Sequence, residues 1–325
     1  MRRLTVLLPL LFLMLCASAQ AKPELGIADQ KAEALDDPRL RALNLSYGRL
    51  YLPWDVLKEP NSLRETDAWL KNAKRDGLEP MLTIARSRIV GREGVRPTPK
   101  ALAAEVVKWR KRWPGQVKLL STWNEANLGY SPELVASWWL AVRRACPGCT
   151  VLGADLLDEP KVLAWTARFV KAAKRSPAIW GIHAYNDANT FSTKVTKALL
   201  KGLKGEFWLT ETGGVATRSK PIYAFTGCGV AHQTKATRFL LETIAKLSPR
   251  IKRIYIFNWN LGQRRVTFDA SLIDAADRER PALNVVRKYL GQAPVLSPPG
   301  GVSRELSSCK KGTVKVKTPK KAKKR

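Results

Sequence analysis

Two glutamates carry the chemistry that this sequence suggests. Glu125 follows Ser121-Thr122-Trp123-Asn124, and Glu211 follows Trp208-Leu209-Thr210. Each closes an apolar run of strand character, so each carboxyl is drawn away from bulk water. They lie 86 residues apart (211 minus 125), which is three strand-helix units of about 29 residues. Two carboxyls facing across a pocket are what glycoside cleavage needs. One is protonated and donates to the leaving oxygen; the other is ionised and attacks the anomeric carbon. Burial and mutual repulsion separate their pKa values and so assign the roles.

The elements that must hold these residues are legible as an alternation. Eight β-rich runs are expected at 25–28, 47–52, 80–85, 117–123, 150–154, 179–184, 206–210 and 254–259. Several are almost continuously apolar, as strands covered on both faces should be. Amphipathic helices are expected between them, at 63–74, 101–113, 133–145, 162–173 and 234–247. Start signals precede some of these, including Thr98-Pro99 and Ser131-Pro132. Eight alternations within residues 22–290 predict a single (β/α)8 TIM barrel, of the α/β class. A doubly wound open sheet is the rival, but no Gly-x-Gly-x-x-Gly follows the first strand. In a barrel the reactive residues sit at the C-terminal ends of the strands. Three steps around eight strands would set Glu125 and Glu211 nearly across the mouth from each other.

Trp123-Asn124-Glu125 and Thr210-Glu211-Thr212-Gly213, on the fourth and seventh strands, resemble the clan A retaining glycoside hydrolases. The resemblance covers about residues 25–290 and includes the turn Asp277-Arg278-Glu279-Arg280-Pro281-Ala282. Within the clan it is nearest to the β-xylosidase-like and exopolysaccharide-hydrolase-like groups. It implies that Glu125 is the acid/base and Glu211 the nucleophile. It implies further that Asn124 bonds the sugar 2-hydroxyl and that Arg49 keeps the nucleophile ionised. His183 and Tyr185 match the sixth-strand pair beside the nucleophile, and Trp259 matches the tryptophan flooring the first sugar subsite. Asn-Glu-Ala-Asn stands where many members have Asn-Glu-Pro. Simple alternation would point Asn124 away from Glu125's side, so a local bulge is expected there. Trp54, ending the second strand, is a further candidate for stacking on a sugar. A non-catalytic glycan-binding protein on the same barrel is the alternative.

The charge speaks of partners. The chain carries 57 Lys and Arg against 27 Asp and Glu, a net +30. Residues 291–325 hold ten of these cations and one acid, with little apolar content, and read as a disordered basic tail. Anionic cell-envelope polymers are its expected partners; specific nucleic acid binding is not expected. The mouth is also cationic, with Arg86, Arg88, Arg218, Lys220, Arg264 and Arg265 in the loops after the third, seventh and eighth strands. Uronate, sulfate or phosphate groups are the ligands such cations would take. Asp29, Gln30, Asp155 and Asp158 are further candidate mouth residues.

The first 21 residues read as a secretory signal peptide: Arg2 and Arg3, an apolar run from Leu4 to Cys16, then Ala19-Gln20-Ala21. The expected protein is secreted, periplasmic or attached at the cell surface, without a membrane span after cleavage. Four cysteines remain after cleavage, and Cys146-Pro147-Gly148-Cys149 could close a small loop. Cys228 and Cys309 could tie the tail to the long loop 214–230. No cofactor or metal is expected.

Overall fold

A computed structural model describes residues 22–218, 227–261 and 268–303. The strands are β1 (Glu24–Ala28), β2 (Tyr47–Pro53), β3 (Glu79–Ala85), β4 (Leu119–Ser121), β5 (Thr150–Leu152), β6 (Asp155–Leu157), β7 (Ile179–His183), β8 (Glu206–Thr212), β9 (Thr217–Arg218), β10 (Ile251–Phe257) and β11 (Phe268–Asp269). Nine of them form one parallel sheet in the order β5-β4-β3-β2-β1-β10-β8-β7-β6. β5 and β6 are two halves of one course of chain, broken at Gly153-Ala154. β5 pairs with β4 and β6 with β7, so the sheet curls into a nearly closed barrel of eight courses. This is the (β/α)8 architecture.

The helices are α1 (Pro38–Arg41), α2 (Pro60–Arg75), α3 (Pro99–Arg112), α4 (Pro132–Ala145), α5 (Val162–Ala173), α6 (Tyr185–Asn189), α7 (Lys194–Gly202), α8 (Val230–Glu242) and α9 (Pro281–Leu290). Thr98 and Ser131 cap α3 and α4 through their hydroxyls, each ahead of a first-turn proline. α2 starts earlier than its apolar pattern suggests, because the Glu59 carboxylate accepts from the amides of Asn61 and Ser62. α6 and α7 escaped the sequence reading. Both are short, and α6 opens directly on the strand end at His183-Ala184.

Period-two alternation divides the side chains into two cores. Leu50 and Leu52 of β2 and Leu209 of β8 face the helices, in the larger cluster. The helix tryptophans Trp69, Trp109, Trp138, Trp139 and Trp165 are packed there, at 8% exposure or less. The opposite faces fill the barrel with Ala28, Met81, Leu119, Leu152, Trp208 and Tyr255. At the bottom the Arg253 guanidinium lies between the rings of Tyr47 and Trp208, 3.8 and 4.1 Å from their centroids. Arg253→Ala removes a stem and two cation-π contacts together, so we expect a loss of about 2 kcal/mol in urea unfolding.

Cys146 and Cys149 form a disulfide, closing the loop after α4. Cys309, the expected partner of Cys228, lies outside the described residues, as do the signal peptide and most of the basic tail. The barrel's bonding runs past 290. Asn284 bonds the Val295 amide, and the Ser303 amide donates to the Glu279 carbonyl at 2.7 Å. Residues 291–303, grouped with the tail on composition, therefore lie against the barrel. Among the described residues no helix is long and apolar enough to cross a membrane.

Candidate active site

The upper layer of the barrel is polar. Arg49 of β2, Thr83 of β3, Ser121 of β4 and Asp155 of β6 are all fully buried. A buried guanidinium needs partners for its charge and its donors, and Arg49 has them. Its Nε and Nη2 donate to Asp155 Oδ2 at 3.1 and 2.7 Å. Its Nη1 donates to Glu211 Oε2 at 2.7 Å, and its Nη2 to Asn124 Oδ1 at 2.7 Å. The hydroxyls of Thr83 and Ser121 donate to Asp155 at 2.9 and 2.6 Å. Burial would raise the Asp155 pKa, but the Arg49 charge overrides it and holds the carboxyl far below the ordinary range.

Space for Asp155 is made by a missing side chain. A Cβ on Gly181 of β7 would stand 2.2 Å from Asp155 Oδ1 and 2.9 Å from the Thr210 hydroxyl. Gly181→Ala should therefore displace Asp155 from Arg49. We expect it to cost about 1–3 kcal/mol in urea unfolding, as overpacked sites do, and to lower turnover with it.

Neither glutamate reaches the mouth by regular strand geometry. On β8, Trp208 and Thr210 point into the barrel, so Glu211 should point out. The pairing with β10 slips instead: Leu209 faces Ile254, whereas Thr212 faces Ile256. Three steps on β8 against two on β10 make a bulge, and that turns Glu211 toward Arg49. On the fourth course β4 stops at Ser121. The Asn124 amide donates to the Ile84 carbonyl at 2.8 Å, and Glu125 takes a left-handed conformation (φ 46°, ψ 46°). For a non-glycine residue that conformation is uncommon and mildly strained. In the register that pairs Thr83 with Ser121, the Ile84 carbonyl would accept from the Trp123 amide; it accepts from Asn124 instead, so the fourth course carries one extra residue here, the local bulge expected at Asn124.

The structure brings six of the eight expected residues together. Tyr185 donates its hydroxyl to Glu211 Oε1 at 3.1 Å. His183 Nδ1 lies 3.2 Å from Glu125 Oε1, and its Nε2 lies 3.3 Å from Arg49 Nη2. Glu211, Arg49, His183 and Glu125 thereby form one connected chain of polar contacts, with Asn124 and Tyr185 attached. Tyr185 is aimed by a cap: the buried Asp158 carboxylate accepts from the amides of Asn186 and Asp187 at the start of α6. Burial, aided by the charge of Asp187, raises the Asp158 pKa well above the usual value despite those bonds.

Burial alone would lower the His183 pKa. The Glu211 charge and the carboxylates of Asp155 and Glu125 outweigh it and raise the value to about 9. A group raised from 6.5 stabilises the fold fully below pH 6.5, and that contribution is lost as pH climbs through about 9. Melting temperatures of the wild type should therefore fall across that window. His183→Gln should show a flatter fall, and equal slopes would refute a charged His183.

The two expected tryptophan platforms are elsewhere. Trp259 is fully buried in the layer between barrel and helices. Asp29 accepts from its amide and Asp37 from its indole Nε1–H, and these bonds hold it outside the barrel beside α1. Trp54 is 4% exposed in the same layer, with Lys58 Nζ 5.6 Å from its ring centroid. Aromatic side chains at the mouth come instead from Phe257, Phe268 and Tyr185. Phe268 packs edge-on against Tyr185 at 5.1 Å and lies 6.3 Å from Phe257. Phe257 ends β10 and was legible as a strand-end aromatic. Phe268 was not, because it arrives on a two-stranded ribbon of β9 and β11 made by two loops far apart in sequence.

Of the further candidate mouth residues, Asp29 is buried and structural, and Gln30 accepts from the Tyr51 amide. Lys220, Arg264 and Arg265 lie outside the described residues, as do Tyr223 and Phe225 of the loop 214–230. Among the described residues, no group of three or more His, Cys, Asp or Glu side chains is placed to hold a metal ion.

No family model matches the sequence, and no curated protein matches it either. Solved structures do. Fungal β-1,4-galactanases superpose with a TM-score of 0.63 at 13% identity, over 82% of this chain and 100% of theirs. A GH10 xylanase from Thermobacillus composti gives 0.59 at 13%, over 82% and 97%. A family 39 glycoside hydrolase from Bacteroides cellulosilyticus WH2 gives 0.55 at 14%, over 83% of this chain and 64% of that one. This chain thus spans just under two thirds of the family 39 enzyme. At such identities the likeness is one of fold, and the shared fold is the (β/α)8 barrel.

Proposed function

We propose that this protein is an exported retaining glycoside hydrolase acting on a poly- or oligosaccharide. The observation that carries the reading is Arg49, which bonds Glu211 and Asn124 at once from inside the barrel. The buried guanidinium donates to one Glu211 oxygen and compensates the charge that an attacking carboxylate carries. The Tyr185 hydroxyl on the other carboxylate oxygen fixes its direction. Glu125, joined to His183 and not to Arg49, is placed to give its proton to the leaving oxygen. Glu211 then bonds to the anomeric carbon as the leaving group departs with the Glu125 proton. In the second step Glu125 takes a proton from water, and that water displaces Glu211 from the sugar. His183 Nδ1–H faces Glu125 and steadies its carboxylate between the steps. The barrel neighbours named above are hydrolases of glycosidic bonds, which supports the class.

The experiment is incubation of residues 22–325 with a panel of β-glycans, with proton NMR of the first product formed. A β-anomer appearing first supports retention. First release of the α-anomer would refute the double displacement, and no release from any glycan would favour a glycan-binding protein on this barrel. Export by the first 21 residues predicts a mature chain beginning at Lys22, read by N-terminal sequencing. The basic tail is proposed as an electrostatic tether to anionic envelope polymers. Deleting residues 304–325 should then release the protein from cells at lower salt.

A further inference from the structure

A cavity of about 600 Å³ opens beside Glu125. Its walls include Glu125, Asn124, Tyr51 and Tyr130, but not Glu211. A sugar in it would lie on the leaving-group side of the bond that Glu125 protonates. One wall is the loop between β3 and α3, which carries Arg86, Arg88, Arg92 and Arg96 against the single acid Glu93. These four arginines divide cleanly. Arg88 donates to Glu65 at 3.0 Å, and Arg92 lies 3.8 Å from Asp55; neither lines the cavity. Arg86 and Arg96 do line it, and among the described residues neither has a carboxylate partner.

Both side chains are exposed, but each belongs to a segment tied to the site. Arg86 follows directly on β3, two residues from the Ile84 carbonyl that bonds the Asn124 amide. Its backbone is therefore tied to the segment that positions Glu125. Arg96 is held over the Tyr130 ring at 5.3 Å and uses one Nη2–H on the Gly129 carbonyl at 3.3 Å. A guanidinium has five donors in a planar fork suited to a carboxylate or sulfate. Most of those donors remain for a ligand. Among the described residues, the only carboxyl in the cavity wall is Glu125, which the proposed catalysis reserves.

We infer that Arg86 and Arg96 form an anion subsite on the leaving-group side, selecting a glycan that bears uronate or sulfate groups there. This rests on the glycosidase reading, so the test measures binding apart from turnover. Glu211→Gln protein is titrated with β-linked uronate oligosaccharides and their carboxyl-reduced forms, and with sulfated oligosaccharides and their desulfated forms. Binding is expected for at least one acidic member and at least tenfold weaker for its neutral counterpart. Arg86→Gln and Arg96→Gln, each added to Glu211→Gln, should each weaken acidic binding by about tenfold, the scale of one charge-assisted contact. Arg110→Gln, an exposed cation on α3, should leave it unchanged. Which pair discriminates separates uronate from sulfate. Equal binding of acidic and neutral forms, or equal losses in the Arg110 control, would overturn the subsite. Selective acidic binding with no sugar release by the wild type would keep the subsite and refute the glycosidase reading.

Discussion

Glu211→Ala is expected to lose at least about 10³-fold in turnover of any glycan that the wild type cleaves, because the proposed mechanism forms its covalent intermediate on the Glu211 carboxylate. Its fold should survive. Arg49 keeps Asp155, Asn124 and Thr83, so its charge stays compensated when Glu211 is gone. The two carboxyls are told apart by azide. In Glu211→Ala the vacated side chain leaves room for azide to attack the sugar directly, giving a glycosyl azide of inverted configuration. In Glu125→Ala, azide attacks the Glu211 glycosyl ester, and the product retains configuration. A retained product from Glu211→Ala would exchange the roles assigned here.

The second large effect falls on a residue that touches no substrate. Asp155→Ala leaves a fully buried guanidinium with Glu211 as its only carboxylate among the described residues, and it removes the acceptor to which the Thr83 and Ser121 hydroxyls donate. Breaking one side of a buried pair costs about 3–5 kcal/mol, and we expect a loss of that size in urea unfolding. Asp155→Asn keeps the shape and some of the bonds, and should lose less. Its turnover should still fall, because Arg49 would be held on one side only. An Asp155→Asn enzyme with wild-type kcat would show that Glu211 does not depend on this support. The ionised Asp155 also sets an acid limit. Its folded pKa is depressed, so its contribution is full above about 3.8 and is lost as pH falls below that value.

Much of this site was legible in the chain itself. The alternation of apolar runs and amphipathic segments implied the barrel, because parallel strands buried on both faces leave few other architectures. Glu125 and Glu211 stood out because each is an acid ending an apolar strand, where a barrel places reactive groups. Arg49, Asn124, His183 and Tyr185 followed from motif resemblance, and they converge on the two glutamates.

What the sequence could not supply was direction and distant pairing. Period-two alternation sends Glu211 outward, and only the register slip against β10, set by contacts between strands, turns it inward. Asp155 looked like one of several acids near strand ends. Its role appeared when Arg49, 106 residues earlier, was seen beside it across the barrel. Trp259 and Trp54 matched the composition of a sugar platform, but an indole packs equally well in a core. The bonds from Trp259 to Asp29 and Asp37 decided for the core. Residue types and their order are local information and specified the strands, the helices and the candidate acids. The faces those acids present, and the arginines left without a carboxylate, depend on neighbours brought together only by closing the barrel.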